Sequence, residues 1–204
     1  FNSCVNLKDV HLSAKLESIE AGAFNNCKSL SKIQLPSTLK VLRGSAFSET
    51  SLTEINIPPQ MKTEDYTAAN RAWGGPFAGL TTLKKVTFEQ GMEEIPRGIF
   101  YSPGSMLMLE EVVLPDSVKN IGYRAFCNCG YLKEITLPKN LESIDADAFW
   151  NCTDLKLSRS ELPASLKVIN GSAFYGCKNI DRIVFPEGLE FLGGSAFGGC
   201  TGLN

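Results

Sequence analysis

Seven cysteines are the residues of this chain whose type and spacing could support redox or metal chemistry. Six lie three residues after a phenylalanine, whereas Cys127 breaks the pattern; the six are Cys4, Cys27, Cys129, Cys152, Cys177 and Cys200. The only histidine is His11, so a Cys/His zinc pattern has no partners. Cys127-Asn-Cys129 is not a strong metal-binding spacing either. We therefore expect no metal and no cofactor.

The same spacing bears on disulfide formation. If successive units of the chain stack, the cysteines form a ladder whose neighbouring Cα atoms come within disulfide range, but their side chains point the same way, which is poor geometry for a bridge. Free, buried thiols that pack as small hydrophobic groups are the simpler interpretation. The ladder is interrupted in three consecutive units, where Thr50, Leu80 and Pro103 replace cysteine.

Other catalytic signatures are missing from the sequence. It contains no nucleophile elbow, P-loop or H-E-x-x-H motif. Asp145 and Asp147 fall in one loop and are expected to be solvated, and His11 is expected to be a surface residue. We expect this protein not to be an enzyme.

The elements that would position these residues are copies of one unit of about 23 residues. The unit is clearest at 109–129 and again at 132–152, where both segments approach L-x-x-I-x-L-P-x-x-L-x-x-I-x-x-x-A-F-x-x-C. The motif phenylalanine recurs along the whole chain, at Phe1, Phe24, Phe47, Phe77, Phe100, Phe126, Phe149, Phe174 and Phe197. The chain thus opens and closes within a repeat, and we expect residues 1–204 to be one repeat domain from a longer protein.

Each unit contains two kinds of local pattern. A segment such as 30–36 alternates apolar and polar residues and ends in Pro36, which predicts a short strand closed by a residue that cannot donate to a sheet. Apolar residues three apart follow, as in Leu141 and Ile144, and predict short helical turns on the return path. One unit cannot bury its own apolar residues, so the units should stack into an α/β solenoid of eight to nine coils. Its short parallel strands should line the concave face, because the return path is bulkier.

This motif resembles the leucine-rich repeat of the BspA-like, or Treponema pallidum, type. The resemblance covers the whole chain and implies a right-handed leucine-rich-repeat superhelix. It also implies a bacterial cell-surface or secreted protein, often an adhesin that binds host or extracellular-matrix proteins.

Two insertions interrupt the repeat, at 62–76 and 101–108. They fall in adjacent coils, so they could meet in space. Insertions in solenoids form loops that often carry binding, and aromatic, arginine and methionine side chains are common in interfaces. The candidate partner-binding residues in these loops are Tyr66, Arg71, Trp73, Tyr101, Met106 and Met108. The alternative is that the loops pack on each other and patch an irregular solenoid. A smaller irregularity lies at Leu155 to Leu162.

The outward strand positions predict two columns on the concave face. The first contains Asp9, Lys32, Glu54, Lys85, Glu111, Glu134 and Arg182, and the second contains His11, Gln34, Asn56, Thr87, Val113, Thr136 and Val184. The charges of the first five members of the first column alternate in sign. Opposite charges on adjacent strands stabilise each other, which explains these residues without a ligand. A surface of mixed charges and small residues suits a protein partner, and it lacks the aromatic platforms used for sugars or single-stranded nucleic acid.

Composition narrows the functional classes. Twenty basic and 22 acidic residues give a net charge of −2, which offers no basic footprint for nucleic acid. No apolar run approaches the roughly 20 residues of a membrane span. We expect a monomer that binds a protein partner, as a module of an adhesin-like protein. The alternative is a structural spacer that holds another domain away from the cell surface.

Overall fold

The computed structural model describes residues 1–63 and 74–204. Regular structure in these ranges consists of short β-strands; no helix is formed there, and hence none long and apolar enough to cross a membrane. In chain order the strands are β1 (Ser18–Ile19), β2 (Val41–Leu42), β3 (Glu54–Ile57), β4 (Lys62–Thr63), β5 (Lys85–Phe88), β6 (Glu94–Ile95), β7 (Glu111–Val113), β8 (Asn120–Ile121), β9 (Glu134–Ile135), β10 (Ser143–Ile144), β11 (Lys156–Leu157), β12 (Val168–Ile169) and β13 (Phe191–Leu192).

The strands pair in parallel into three sheets. We call the sheet of β3, β5, β7, β9 and β11 the front sheet, and the sheet of β6, β8, β10, β12 and β13 the back sheet; β1, β2 and β4 form a third sheet. Each pairing joins equivalent positions of successive coils, as where Glu54 lies opposite Lys85. The chain is therefore a parallel β-solenoid, as the repeat predicts.

Alternation in the repeat accounts for the front strands. In β3, Ile55 and Ile57 are buried while Glu54 and Asn56 are exposed. The structure has no strand at 30–36, where the second repeat predicts one. Ile33 is only half-buried there, although Leu30 and Leu35 of the same segment are buried.

The prediction of helical turns on the return path is wrong. Ile144 lies in β10 and pairs with Ile121 and Ile169 of the neighbouring coils. The turns after β8, β10, β12 and β13 contain residues with positive φ two positions before and two positions after the motif phenylalanine. Around Phe126 these are Arg124 (φ 55°) and Asn128 (φ 64°). Because left-handed residues cannot continue a right-handed helix, these turns cannot lengthen into one.

The number of coils is also smaller than predicted. The structure has about seven turns, instead of eight to nine. The prediction counted motif phenylalanines, and these include residues of coils that lack a complete pair of strands.

The motif phenylalanines stack into a continuous column inside the solenoid. Successive ring centroids lie between 5.0 and 5.8 Å apart from Phe1 to Phe197. The stack continues past the first insertion, where Phe47 and Phe77 are 5.6 Å apart. Each aromatic pair adds about 0.5–1.5 kcal/mol beyond its buried area, so the column helps to hold adjacent coils in register.

Charges of alternating sign mark the residue before each back strand. Backbone amides of successive members donate to the carbonyl of the previous one, so the side chains lie on adjacent coils. We call this set the back charge column; it consists of Glu93, Lys119, Glu142, Lys167 and Glu190. The Lys119 Nζ and Glu93 Oε1 atoms are 3.2 Å apart. Such exposed pairs each contribute a few tenths of a kcal/mol.

Candidate functional site

The exposed residues of the front sheet form two columns that run from coil to coil, and we call them together the front face. The charged column places each member opposite the next and consists of Glu54, Lys85, Glu111, Glu134 and Lys156. The second column consists of Asn56, Thr87 and Val113 in register, followed by Thr136 and Ser158, whose hydroxyl oxygens are 2.8 Å apart. Most of the residues predicted for the concave face are thus brought together on one surface.

The charged column contains three acidic and two basic residues, and Glu111 lies opposite Glu134, which has the same sign. Lys85 Nζ lies 2.6 Å from Glu111 Oε1. At the edge of the face, Glu110 accepts from Lys133 Nζ at 2.6 Å and from Lys84 Nζ at 3.3 Å. The hydrogen bond from Lys133, and then that from Lys84, lowers the pKa of Glu110. The face therefore carries both signs side by side and has no single-signed field.

The structure departs from the predicted columns at their C-terminal end. Lys156, not Arg182, follows Glu134 in register. The segment from Leu155 to Leu162 is two residues longer than its counterpart from 132 to 137, so the next coil joins through a single bridge between Glu161 and Val184. Arg182 and Val184 are exposed but lie beyond the front sheet. Counting from the preceding strand, rather than from the following proline, would have found Lys156 and Ser158.

The N-terminal members of the predicted columns do not lie on paired front strands. His11 and Gln34 are exposed, and the coils that contain them form no front strand. They therefore extend the surface of the solenoid without belonging to the front face.

The start of the second insertion is anchored by hydrogen bonds and a cation–π contact. The buried Ser102 hydroxyl accepts from the Gly79 amide at 2.9 Å, and the Tyr101 carbonyl accepts from the Gly75 amide at 2.7 Å. The two insertions thus meet at the end of the first one, as their adjacency allows. The guanidinium of Arg124 lies 5.3 Å from the Tyr101 ring centroid and is paired with Asp147 at 2.9 Å.

The loop candidates have different environments. Met106 is 43% exposed, whereas Tyr101 and Met108 are half-buried. The candidates Tyr66, Arg71 and Trp73 lie outside the described residues. Met106 is therefore the clearest contact residue that the described part of these loops offers.

A groove lies beside the front face, where the chain leaves β11 through its longer segment. Its volume is about 570 Å³, and we call it the bulge groove. Apolar lining comes from Ile135, Leu137, Leu157 and Leu162. Polar lining includes Thr136, Ser158, Asp116, Lys139, Arg159 and Glu161. The sequence analysis identified the irregular segment but not the groove. The two extra residues of that segment were the feature of the sequence that could have indicated a groove.

The cysteines are free thiols, of which six are buried and Cys4 is exposed. The Sγ atom of Cys152 donates to the Phe126 carbonyl of the preceding coil at 3.1 Å, and three other ladder cysteines (Cys27, Cys177 and Cys200) make the same contact with the equivalent phenylalanine at the same distance. Burial raises the pKa of Cys127 to about 12 and that of Cys200 to about 11. Such thiols are poor nucleophiles at neutral pH, and they pack as the simpler interpretation predicts.

The repeat of the sequence and the geometry of the coils agree with one family model. The model for the BspA-type leucine-rich repeat region matches residues 1–108, 74–156 and 104–204, with six copies. This chain belongs to the BspA-type leucine-rich-repeat family. The resemblance drawn from the motif is confirmed. A sequence search among curated proteins finds no match.

Solved structures of bacterial leucine-rich-repeat proteins share the fold of this BspA-type chain. The Treponema pallidum protein TpLRR is 25% identical with a TM-score of 0.62, over 84% of this chain and 77% of that one. A Bacteroides ovatus leucine-rich-repeat protein is 22% identical with a TM-score of 0.56, over 100% and 61%. The pneumococcal vaccine antigen PcpA is 26% identical with a TM-score of 0.54, over 98% and 50%. The chain thus spans 61% of the Bacteroides protein and half of the pneumococcal one.

Proposed function

We propose that this BspA-type repeat binds a protein partner through its front face and the adjoining bulge groove. The observation that carries the proposal is the arrangement of five successive strands that present exposed charged and small side chains in register. Balanced charges favour a protein surface over a polyanion, because nucleic acid is bound by clustered cations. Val113, 40% exposed between polar neighbours, supplies an apolar contact in the middle of the face.

The size of the front face indicates how a partner would sit on it. Four strand spacings of about 4.8 Å and strands of about four residues give roughly 19 Å by 13 Å, or about 250 Å². A stable protein interface buries about 800 Å² on each side. The partner must therefore extend beyond the strands. The bulge groove and the exposed Met106 belong to the same solenoid and are further surfaces that such a partner can contact.

The cellular setting of this function is also part of the proposal. Membership of the BspA-type family supports an adhesin-like role at a bacterial cell surface or in a secreted protein. One relative of known structure is described as a vaccine antigen, which agrees with an exposed location. Host or extracellular-matrix proteins are the partner class, and the module acts as a monomer without catalysis, in keeping with a repeat family that is generally non-catalytic.

A structural spacer is the second candidate, and the back charge column favours it. Glu93 and Lys119 lie within ion-pair distance, and the signs alternate through Glu142, Lys167 and Glu190. These charges are accounted for by contacts between coils and need no ligand. A spacer would be stiff and stable and would bind nothing.

A binding screen separates the two candidates. The folded protein is passed over immobilised extracellular-matrix and host-surface proteins, beside a Met106→Ser variant and a double variant with Glu54→Lys and Lys85→Glu. Binding that is lost in the double variant supports the front face, and binding lost in Met106→Ser assigns the contact to the inserted loop. A monomeric, folded sample that binds nothing in the panel supports the spacer.

A further inference from the structure

The longer segment after β11 disrupts the front sheet at one place. The sheet ends at β11, although the chain continues for another coil, and that coil pairs with the segment only at Glu161 and Val184. Elsewhere successive front strands pair over one to four residues: β3 and β5 pair over four, whereas β7 and β9 pair only at Glu111 and Glu134. Bulges that interrupt pairing in this way are over-represented at sheet edges and next to active sites. Here the interruption creates the bulge groove.

The charges that line the groove are not all neutralised. Lys139 Nζ lies 2.8 Å from Asp116 Oδ2, so that pair is satisfied. Arg159 and Glu161 are exposed, and neither forms an ion pair with any residue in the described ranges. Both belong to the irregular segment itself. The groove therefore offers a ligand one free cation and one free anion beside an apolar lining.

This chemistry limits the kind of ligand. The lining contains no aromatic residue, which disfavours stacking of a sugar ring or a nucleobase. The free charges cancel, which disfavours a polyanion. The volume of about 570 Å³ falls within the range of roughly 300–1,000 Å³ typical of ligand sites, and half of the twelve lining residues are apolar. An extended peptide has the matching composition, because its side chains can supply one apolar group and charges of both signs.

We propose that the bulge groove binds an extended peptide segment of a protein partner. The segment inserts an apolar side chain against Leu157 and Leu162, and it carries an acidic residue for Arg159 and a basic residue for Glu161. The proposal rests on the protein-binding function and assigns the groove as the place where a linear segment of the partner is held.

The probe is a random linear dodecapeptide library displayed on phage. It is selected on the wild type and depleted on Thr136→Trp, whose indole would occupy the groove. Thr87→Trp is the matched control, because Thr87 belongs to the same column but does not line the groove. Thermal unfolding of both variants confirms that each is folded. A charge exchange, Arg159→Glu with Glu161→Arg, provides a second variant that adds no bulk.

Enriched peptides are then synthesised and their affinities measured by fluorescence anisotropy. We expect apolar peptides with one acidic and one basic residue, a loss of about tenfold or more in Thr136→Trp, and little change in Thr87→Trp. The charge exchange should prefer peptides whose two charges are exchanged. Failure to enrich any peptide, or equal affinity for both tryptophan variants, overturns the proposal.

The protein-binding function is tested separately with a partner from the binding screen. If the partner binds the variant with Arg159→Glu and Glu161→Arg as tightly as the wild type but loses affinity in the variant with Glu54→Lys and Lys85→Glu, while no peptide is enriched, the peptide site is refuted and the front-face function stands. If neither a partner nor a peptide binds the folded protein, both are refuted.

Discussion

Replacing Phe126 by leucine should destabilise the solenoid more than the same change at Phe174. Phe126 is fully buried and contacts three aromatic rings: Phe100 at 5.8 Å and Phe149 at 5.2 Å, both stacked, and Phe88 at 6.3 Å edge-on. At about 0.5–1.5 kcal/mol for each pair, the loss is about 1.5–4.5 kcal/mol.

Phe174, also fully buried, serves as the matched site because it stacks on only two rings, Phe149 at 5.1 Å and Phe197 at 5.0 Å. Its replacement by leucine should cost about 1–3 kcal/mol, a difference of about one aromatic contact. Urea unfolding of both variants, followed by far-ultraviolet circular dichroism, measures the two free energies. A Phe126→Leu variant that is as stable as the wild type, or more stable than Phe174→Leu, would refute the reasoning that the ring column holds the coils together.

Three further predictions concern strain, pH and thiols. Glu49→Asn should raise Tm by about 2–4 °C, because Glu49 has φ 55° and asparagine tolerates that conformation with about 1 kcal/mol less strain; an unchanged Tm would argue against strain. The lowered pKa of Glu110 means that its contribution is present above the ordinary pKa of a glutamate and is lost as pH falls through the lowered value. Glu110→Gln should therefore narrow the stability difference between pH 6 and pH 3, and an identical pH profile would contradict this. Native protein treated with N-ethylmaleimide at pH 7 should gain one adduct, at the exposed Cys4, whereas rapid modification of Cys127 or Cys200 would show that these thiols are not buried.

The front face could be predicted because its pattern combines a period of two along each strand with a motif that marks each successive strand. Alternation along each strand decides which side chains are exposed, and the repeat decides which coil supplies the next one. Glu54, Lys85 and Glu111 follow from these two rules alone. The rules fail at β11, where the segment is two residues longer than its counterpart and Lys156, instead of Arg182, lies opposite Glu134.

The return path could not be predicted from the spacing of its apolar residues. Leu141 and Ile144 are three residues apart. This spacing fits one turn of a helix, and it fits equally well a residue that precedes a short strand and a residue within it, as Leu141 and Ile144 do at β10. What decides between them is the left-handed conformation of residues near the motif phenylalanine. Asn128 and Gly176 favour that conformation by residue type, whereas Arg124 and Ser172 do not signal it. The bulge groove was missed for a different reason, since it depends on how one irregular coil lies against its neighbour.

A comparison of two charge exchanges tests the proposed front-face binding most directly. The front variant has Glu54→Lys with Lys85→Glu, and the back variant has Glu142→Lys with Lys167→Glu. Each variant exchanges two charges on adjacent coils and keeps the net charge. Affinity for the partner from the screen is measured by surface plasmon resonance. We expect about tenfold or greater weakening in the front variant and little change in the back variant. Equal or greater weakening in the back variant would contradict binding through the front face.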